Sequence, residues 1–181
     1  MRILFYFILV LFLAFSSCSN SSPVQQEKYY FDLISYFNTQ VDELNNLNPD
    51  VHKSITKNGE MEEKTISDID WQQELMAFVQ ADINKPAWKS LYEVDTTVVS
   101  NGLVIKYAAS DEKLTTRSLE VSISNENEIS RIEINTQPDK KIYFANTNMV
   151  YVPGKNYSIQ TEQNLVLFDK DNFNVKATII Q

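Results

Sequence analysis

Apolar positions between Glu27 and Asn46 recur in steps of three and four: Tyr30, Leu33, Ile34, Phe37, Val41 and Leu44 share one face of an amphipathic helix. Asn45, Asn46, Asn48 and Pro49 end it, because asparagine accepts the left-handed cap and Pro49 disfavours helix at Asn48. Two short runs follow, Val51 to Thr56 and Met61 to Ile66, around Lys57-Asn58-Gly59-Glu60. Asn-Gly is a strong hairpin signal, so a charged hairpin is expected, with Lys53, Lys57, Glu60, Glu62 and Lys64 toward solvent. Asp70 then stands as an N-cap with Gln73 three residues on and Glu74 in the first turn, and Trp71, Leu75, Phe78 and Val79 give a second helical stripe.

After Trp88 the period becomes two. The runs are Leu91 to Val99, Leu103 to Ala109, Leu114 to Ser124, Ile129 to Gln137, Lys141 to Val152, Asn156 to Glu162, Asn164 to Asp169 and Phe173 to Ile180. Turns fall at Asn101-Gly102, Asn125 to Asn127, Gln137 to Asp139, Pro153-Gly154 and Asp169 to Asn172. Connections this short leave no room for crossover helices, so the strands are antiparallel neighbours in a meander. The fold class expected is α+β: two N-terminal helices with an intervening β-hairpin, then an antiparallel meander of about six to eight strands, curved if both faces of Lys141 to Val152 are buried. That strand sets Ile142, Phe144, Val150 and Val152 on one side and Tyr143, Ala145, Met149 and Tyr151 on the other.

The start of the chain has a different pattern. Arg2 precedes an uncharged run from Ile3 to Phe15, shorter than the roughly 20 apolar residues of a spanning helix, and Ser16-Ser17-Cys18 closes it. This order of residues resembles the lipobox of bacterial lipoproteins, with Phe15 where that motif usually carries Leu. The resemblance implies cleavage by signal peptidase II before Cys18, and a diacylglycerol and an acyl chain on that residue. Residues 1–17 are then a signal peptide, residues 18–26 a flexible lipid-anchored tether, SNSSPVQQ after the cysteine, and residues 27–181 a single α+β domain. Ser19 is not the aspartate that marks inner-membrane retention in that family, and no acidic run follows it, so the resemblance implies the periplasmic face of an outer membrane. The stretch TISDIDWQQELMAFVQADINKPAWKSLYEVD, residues 65–95, is similar to a block in small uncharacterised lipoproteins of Bacteroidota.

Charge and composition narrow the chemistry. The net charge of −8 becomes −9 once Arg2 leaves with the signal peptide, which removes any attraction for nucleic acid or anionic headgroups. Cys18 is the only cysteine and His52 the only histidine, so disulfides, multi-histidine zinc and Cys-His nucleophiles are all out of reach. Gly59, Gly102 and Gly154 are all consumed by predicted turns, leaving none to cradle a phosphate. Asp68, Asp70, Glu74 and Asp82 read as caps and a solvated face rather than a metal cluster. The run from Asp169 lacks the glycine and the final glutamate of a calcium loop. Ser54 or Ser67 beside His52 lacks a nucleophile-elbow sequence.

The function expected is therefore non-catalytic: a lipid-anchored envelope protein that binds or scaffolds a protein or glycan, with no cofactor and no metal. The alternative is a carrier for lipid or another apolar ligand within a half-closed sheet, like the lipoprotein carriers and receptors of the envelope in general architecture; Tyr143, Tyr151 and Tyr157 are its candidate ligand-binding residues. A hydrolase is a remote third, resting on carboxylates that could converge.

Overall fold

The computed structural model describes residues 27–138, 143–165 and 171–180; the expected signal peptide, Cys18 and the expected tether lie outside the described residues. Helix α1, Leu33–Leu47, is the longest helix among them. Asp32 caps it by accepting the Ser35 amide at 3.1 Å, and Asn48 closes it at φ 43 with its amide on Leu44 O at 2.9 Å. The helix therefore starts three residues later than its apolar stripe, which begins at Tyr30, because the Asp32 cap sets the boundary.

The second stripe does not make one helix. It forms α2, Trp71–Glu74, and α3, Met76–Gln80, parted at Leu75. Asp70 does cap α2, accepting the Gln73 amide at 3.0 Å. Turns this short owe their order to docking rather than to helix propensity. Trp71, Leu75 and Phe78 are fully buried, and Phe78 stacks on Phe37 with ring centres 5.0 Å apart. Tyr151 meets both rings edge-on, at 5.1 and 5.9 Å.

All nine described strands are antiparallel and lie in one open sheet, ordered β2-β1-β9-β8-β7-β6-β5-β4-β3. They are β1 (Asp50–Lys57), β2 (Glu60–Ile66), β3 (Tyr92–Val99), β4 (Gly102–Ala109), β5 (Thr116–Ser124), β6 (Ile129–Thr136), β7 (Tyr143–Val152), β8 (Asn156–Leu165) and β9 (Asp171–Ile180). From β3 to β9 the chain is the expected meander. The hairpin β1–β2 then joins its far side, because β1 pairs with β9 from Asp50↔Ile180 to Lys57↔Phe173. The protein is thus largely β, with one sheet where a separate hairpin and a smaller sheet were expected.

Two further expectations change. The runs Asn156 to Glu162 and Asn164 to Asp169 are one strand through Leu165: Gln163 stays in the ladder, paired with Ala145 on one side and Asp171 on the other. Nor is β7 covered on both faces. Ala145, Met149 and Tyr151 are buried, whereas Phe144 is 48% exposed and Val150 and Val152 are only half-buried.

The registers Val51↔Ile179, Tyr157↔Ala177, Tyr151↔Tyr157, Ile132↔Tyr151 and Val121↔Ile132 carry one continuous apolar face from β1 to β5, and the helices lie on it. Residues before α1 are held to this core by Asn84, which is fully buried. Its Oδ1 accepts the amides of Tyr29 and Tyr30, both at 2.9 Å, and its Nδ2 donates to Phe31 O at 2.8 Å and Asp82 Oδ1 at 3.2 Å. Tyr30 then packs edge-on against Tyr92 and Tyr107. Replacing Asn84 with Leu removes the acceptor from two amides and strips a donor from the buried Asp82, a cost of about 3 kcal/mol. Urea unfolding should show that loss, and limited proteolysis should cut residues 27–32 first; an unchanged midpoint with no new cleavage would refute the clamp.

Candidate functional site

Of the three tyrosines singled out from sequence, two belong to the core. Tyr151 is 0% exposed, and its hydroxyl donates to Gln40 Oε1 at 2.8 Å. Tyr157 is 1% exposed, and its hydroxyl donates to Glu74 Oε1. Tyr143 pairs with Leu165 at the far end of β7, and its side chain lies outside the described residues. The sheet brings Tyr151 and Tyr157 side by side, yet the helices seal both from any ligand.

Glu74 is the centre of a group that periodicity did not reveal. Its Oε1 also takes Lys53 Nζ, at 2.5 Å, and both charged side chains are mostly buried. Lys53 was expected in solvent; it points inward because Val51, Lys53 and Ile55 share one side of β1, and Val51 is core. The alternation was visible in sequence, but Glu74 and Tyr157 stand 21 and 104 residues away. Burial first, and then the hydrogen bond to Glu74, raise the Tyr157 phenol far above its ordinary range, so it stays protonated. A carboxylate oxygen saturated by an ammonium and a phenol fastens α2 to β1 and β8.

The other acids named from sequence disperse. Asp70 caps α2, Asp68 accepts Asn48 Nδ2 at 3.4 Å and Asp82 faces Asn84. Among the described residues no group of three histidine, cysteine or acidic side chains gathers to hold a metal. His52 is exposed, with Nε2 3.9 Å from Glu63, and Ser67 donates to Asp50 at 2.6 Å. At the opposite end of the sheet, Asn58 Oδ1 accepts the Asn172 amide and its Nδ2 donates to Asp171, both at 2.8 Å, tying the β1–β2 turn to the start of β9.

An apolar depression of about 630 Å³ lies at the C-terminal end of α1, lined by Leu44, Leu47, Pro49, Ile179 and Ile180. No tyrosine or phenylalanine contributes to it, so it is not the aromatic cavity expected of a carrier. The more extensive open feature is the sheet itself. Seven of the eight residues of β3 are exposed, including Val94 at 55% and Val98 at 82%, and this strand ends the sheet. The chain matches no family model, no curated protein and no solved structure. What the surface can do must be read from its own residues, and those available at β3 are main-chain hydrogen-bonding groups, valines, threonines and carboxylates.

Proposed function

We propose that the protein is a lipid-anchored, non-catalytic component of a bacterial cell envelope that binds or scaffolds another envelope component through its open sheet. The order of residues at the N-terminus carries this reading: Arg2, the uncharged run Ile3 to Phe15, then Ser16, Ser17 and the sole cysteine, Cys18. Among the described residues no helix is long and apolar enough to cross a membrane, which is compatible with attachment through lipid. Two or three acyl chains, at about 0.8 kcal/mol per buried methylene, hold such a domain on a bilayer durably. Tyr29 and Tyr30, clamped by Asn84, mark where the tether gives way to the packed domain.

Support for binding rather than catalysis comes from what the polar clusters do. Lys53, Glu74 and Tyr157 satisfy one another across three elements, and Asp82 and Asn84 do the same. The surface left over is a sheet with an open edge. Placement on the periplasmic face of an outer membrane follows from Ser19 and the unacidic tether, by resemblance to other lipoproteins.

Intact mass of the native protein tests the anchor. The expected product begins at Cys18 and carries the mass of a diacylglyceryl group and an acyl chain. Cys18→Ala should leave an uncleaved precursor or move the protein to the soluble fraction. A chain beginning elsewhere, or an unmodified sulfur, would refute the assignment.

A further inference from the structure

We infer that the free edge of β3 takes up an extended polypeptide strand that alternates cationic and aliphatic side chains, adding a tenth antiparallel strand to the nine described, a proposal that rests on the binding reading above and gives its partner a chemistry. The two edges of the sheet are built differently. β2 carries Glu60, Glu62, Glu63 and Lys64 within seven residues, the kind of charge density that keeps an edge from pairing. β3 has no charge from Thr96 to Val99, and among the described strands only β4 pairs with it; at its first residue the Tyr92 amide donates to the Tyr30 hydroxyl at 3.3 Å. From Val94 onward its outer main-chain groups are available to a strand from outside, which is how peptides add to exposed sheet edges.

Side chains on the two faces of β3 define what that strand must carry. On the side of the sheet where the helices pack, Val94 and Val98 stand beside Tyr107 and Leu103 of β4 and remain exposed, so an added strand meets aliphatic contacts there. On the other side are Glu93 and Asp95. Asp95 lies opposite Lys106, but the Lys106 ammonium is already on Glu120 Oε1 at 2.7 Å. Charges therefore alternate Asp95, Lys106, Glu120 across β3, β4 and β5, and the series stops on an acid at the free edge. A lysine or arginine on the next strand continues it, and cross-strand pairs of opposite charge are favourable while like pairs are not.

This chemistry selects against two nearer occupants. A second copy pairing β3 with β3 has two longest registers that keep like faces together. One sets the two Asp95 carboxylates directly opposite and the other on a diagonal about 7–8 Å apart, on chains of net charge −8. The tether, SNSSPVQQ, offers no cation and carries Pro23, which lacks a donor for the ladder.

The probe is a labelled, end-blocked octapeptide with lysine at two alternate positions among valine and threonine, titrated by fluorescence anisotropy into full-length protein in detergent. Saturable binding is expected, weakened about tenfold when glutamate replaces both lysines. Methylating every backbone nitrogen of the peptide keeps its charge and removes its hydrogen bonds, and should abolish binding. In Asp95→Lys the preference between the lysine and glutamate peptides should reverse; should that variant misfold by ellipticity, Asp95→Asn must weaken the lysine peptide about threefold. The proposal is overturned by absence of saturation, by undiminished binding of the methylated peptide, or by unaltered preference in the Asp95 variants. A sedimenting dimer dissociated by Val98→Lys would also overturn it and assign the edge to a second copy. Intact mass at Cys18 is untouched by any of these results, so edge and anchor fail separately.

Discussion

Gly102→Val is expected to lower the stability of the domain by more than about 3 kcal/mol, and the reason lies in the sheet rather than in the turn. Gly102 opens β4, pairing with Val99 on one side and Ser124 on the other, at φ +144. A Cβ placed there would stand 1.9 Å from the carbonyl oxygen of Ile123 and 2.9 Å from its carbon. Both are backbone atoms of β5, which cannot rotate away. The β4–β5 ladder would have to part, on top of a backbone conformation that side chains rarely adopt. Gly59 is the internal comparison: its φ is +93, but nothing lies within 4 Å of the site of a Cβ. Gly59→Ala should cost only about 1 kcal/mol, the backbone strain alone. Equilibrium urea unfolding of the two variants separates the cases, and similar midpoints for both would mean that the close approach of β5 is not what demands glycine at 102.

Those two glycines show how far the sequence could be read. Both follow asparagine, and both signalled hairpins that exist. At Asn58-Gly59 both residues have positive φ, as a two-residue turn of the mirror type requires. At Asn101-Gly102 only the glycine does, and the turn sits one residue earlier. A dipeptide reports local turn preference; it carries no information about a strand that will arrive some twenty residues later. The same boundary runs through the rest of the fold. Alternation of period two located the meander, though it split β8 in two, because most strands contribute a buried face that Leu119 and Val121, or Ala177 and Ile179, make visible. It could not say that β1 would dock on β9, a pairing across more than a hundred residues.

Where apolar residues occurred on both parities, the inference of burial on both faces failed for β7, because Phe144, Val150 and Val152 are tolerated on an open face. Candidate sites were less legible than strands. Tyr151 and Tyr157 were conspicuous as aromatics, and the structure turns them into core; of the residues that bind the elements together, Lys53 was expected in solvent and Glu74 in a helix's first turn, and no pattern singled out Asn84. Their roles depend on partners far along the chain. Asp95 and Val98, by contrast, stand out only once β3 is known to be the last strand.

Raising the pH above 10 should remove about 8 kcal/mol of stability by pH 12, enough to unfold an ordinary domain. Three phenols alone supply this much: Tyr92, Tyr151 and Tyr157, each at most 6% exposed, while burial raises Tyr36 and Tyr107 in the same direction. The Tyr92 hydroxyl donates to Thr116 O at 2.7 Å, and the other two donate to Gln40 and Glu74. Burial is the chief cause that raises all three above the ordinary value near 10; Tyr30 adds to it at Tyr92, Tyr36 and Glu43 at Tyr151, and the Glu74 hydrogen bond at Tyr157. The folded protein therefore keeps these protons where the unfolded chain has released them. Stability is intact below the unfolded value near pH 10 and falls as pH rises toward the folded values, by about 1.4 kcal/mol per pH unit for each group. Three groups give about 4 kcal/mol per unit, with no compensation from carboxylates, which are ionised in both states at that pH. The share of tyrosine absorbance at 295 nm that belongs to these buried phenols should appear together with the loss of far-ultraviolet ellipticity, in one cooperative step well above pH 10. Tyr151→Phe should shallow the dependence by about 1.4 kcal/mol per pH unit while lowering stability at neutral pH, since Gln40 Oε1 loses its donor. Full ionisation of the tyrosines near pH 10 with the ellipticity unchanged would show that these hydroxyls are reached by water, and the seal that the helices place over the sheet would have to be abandoned.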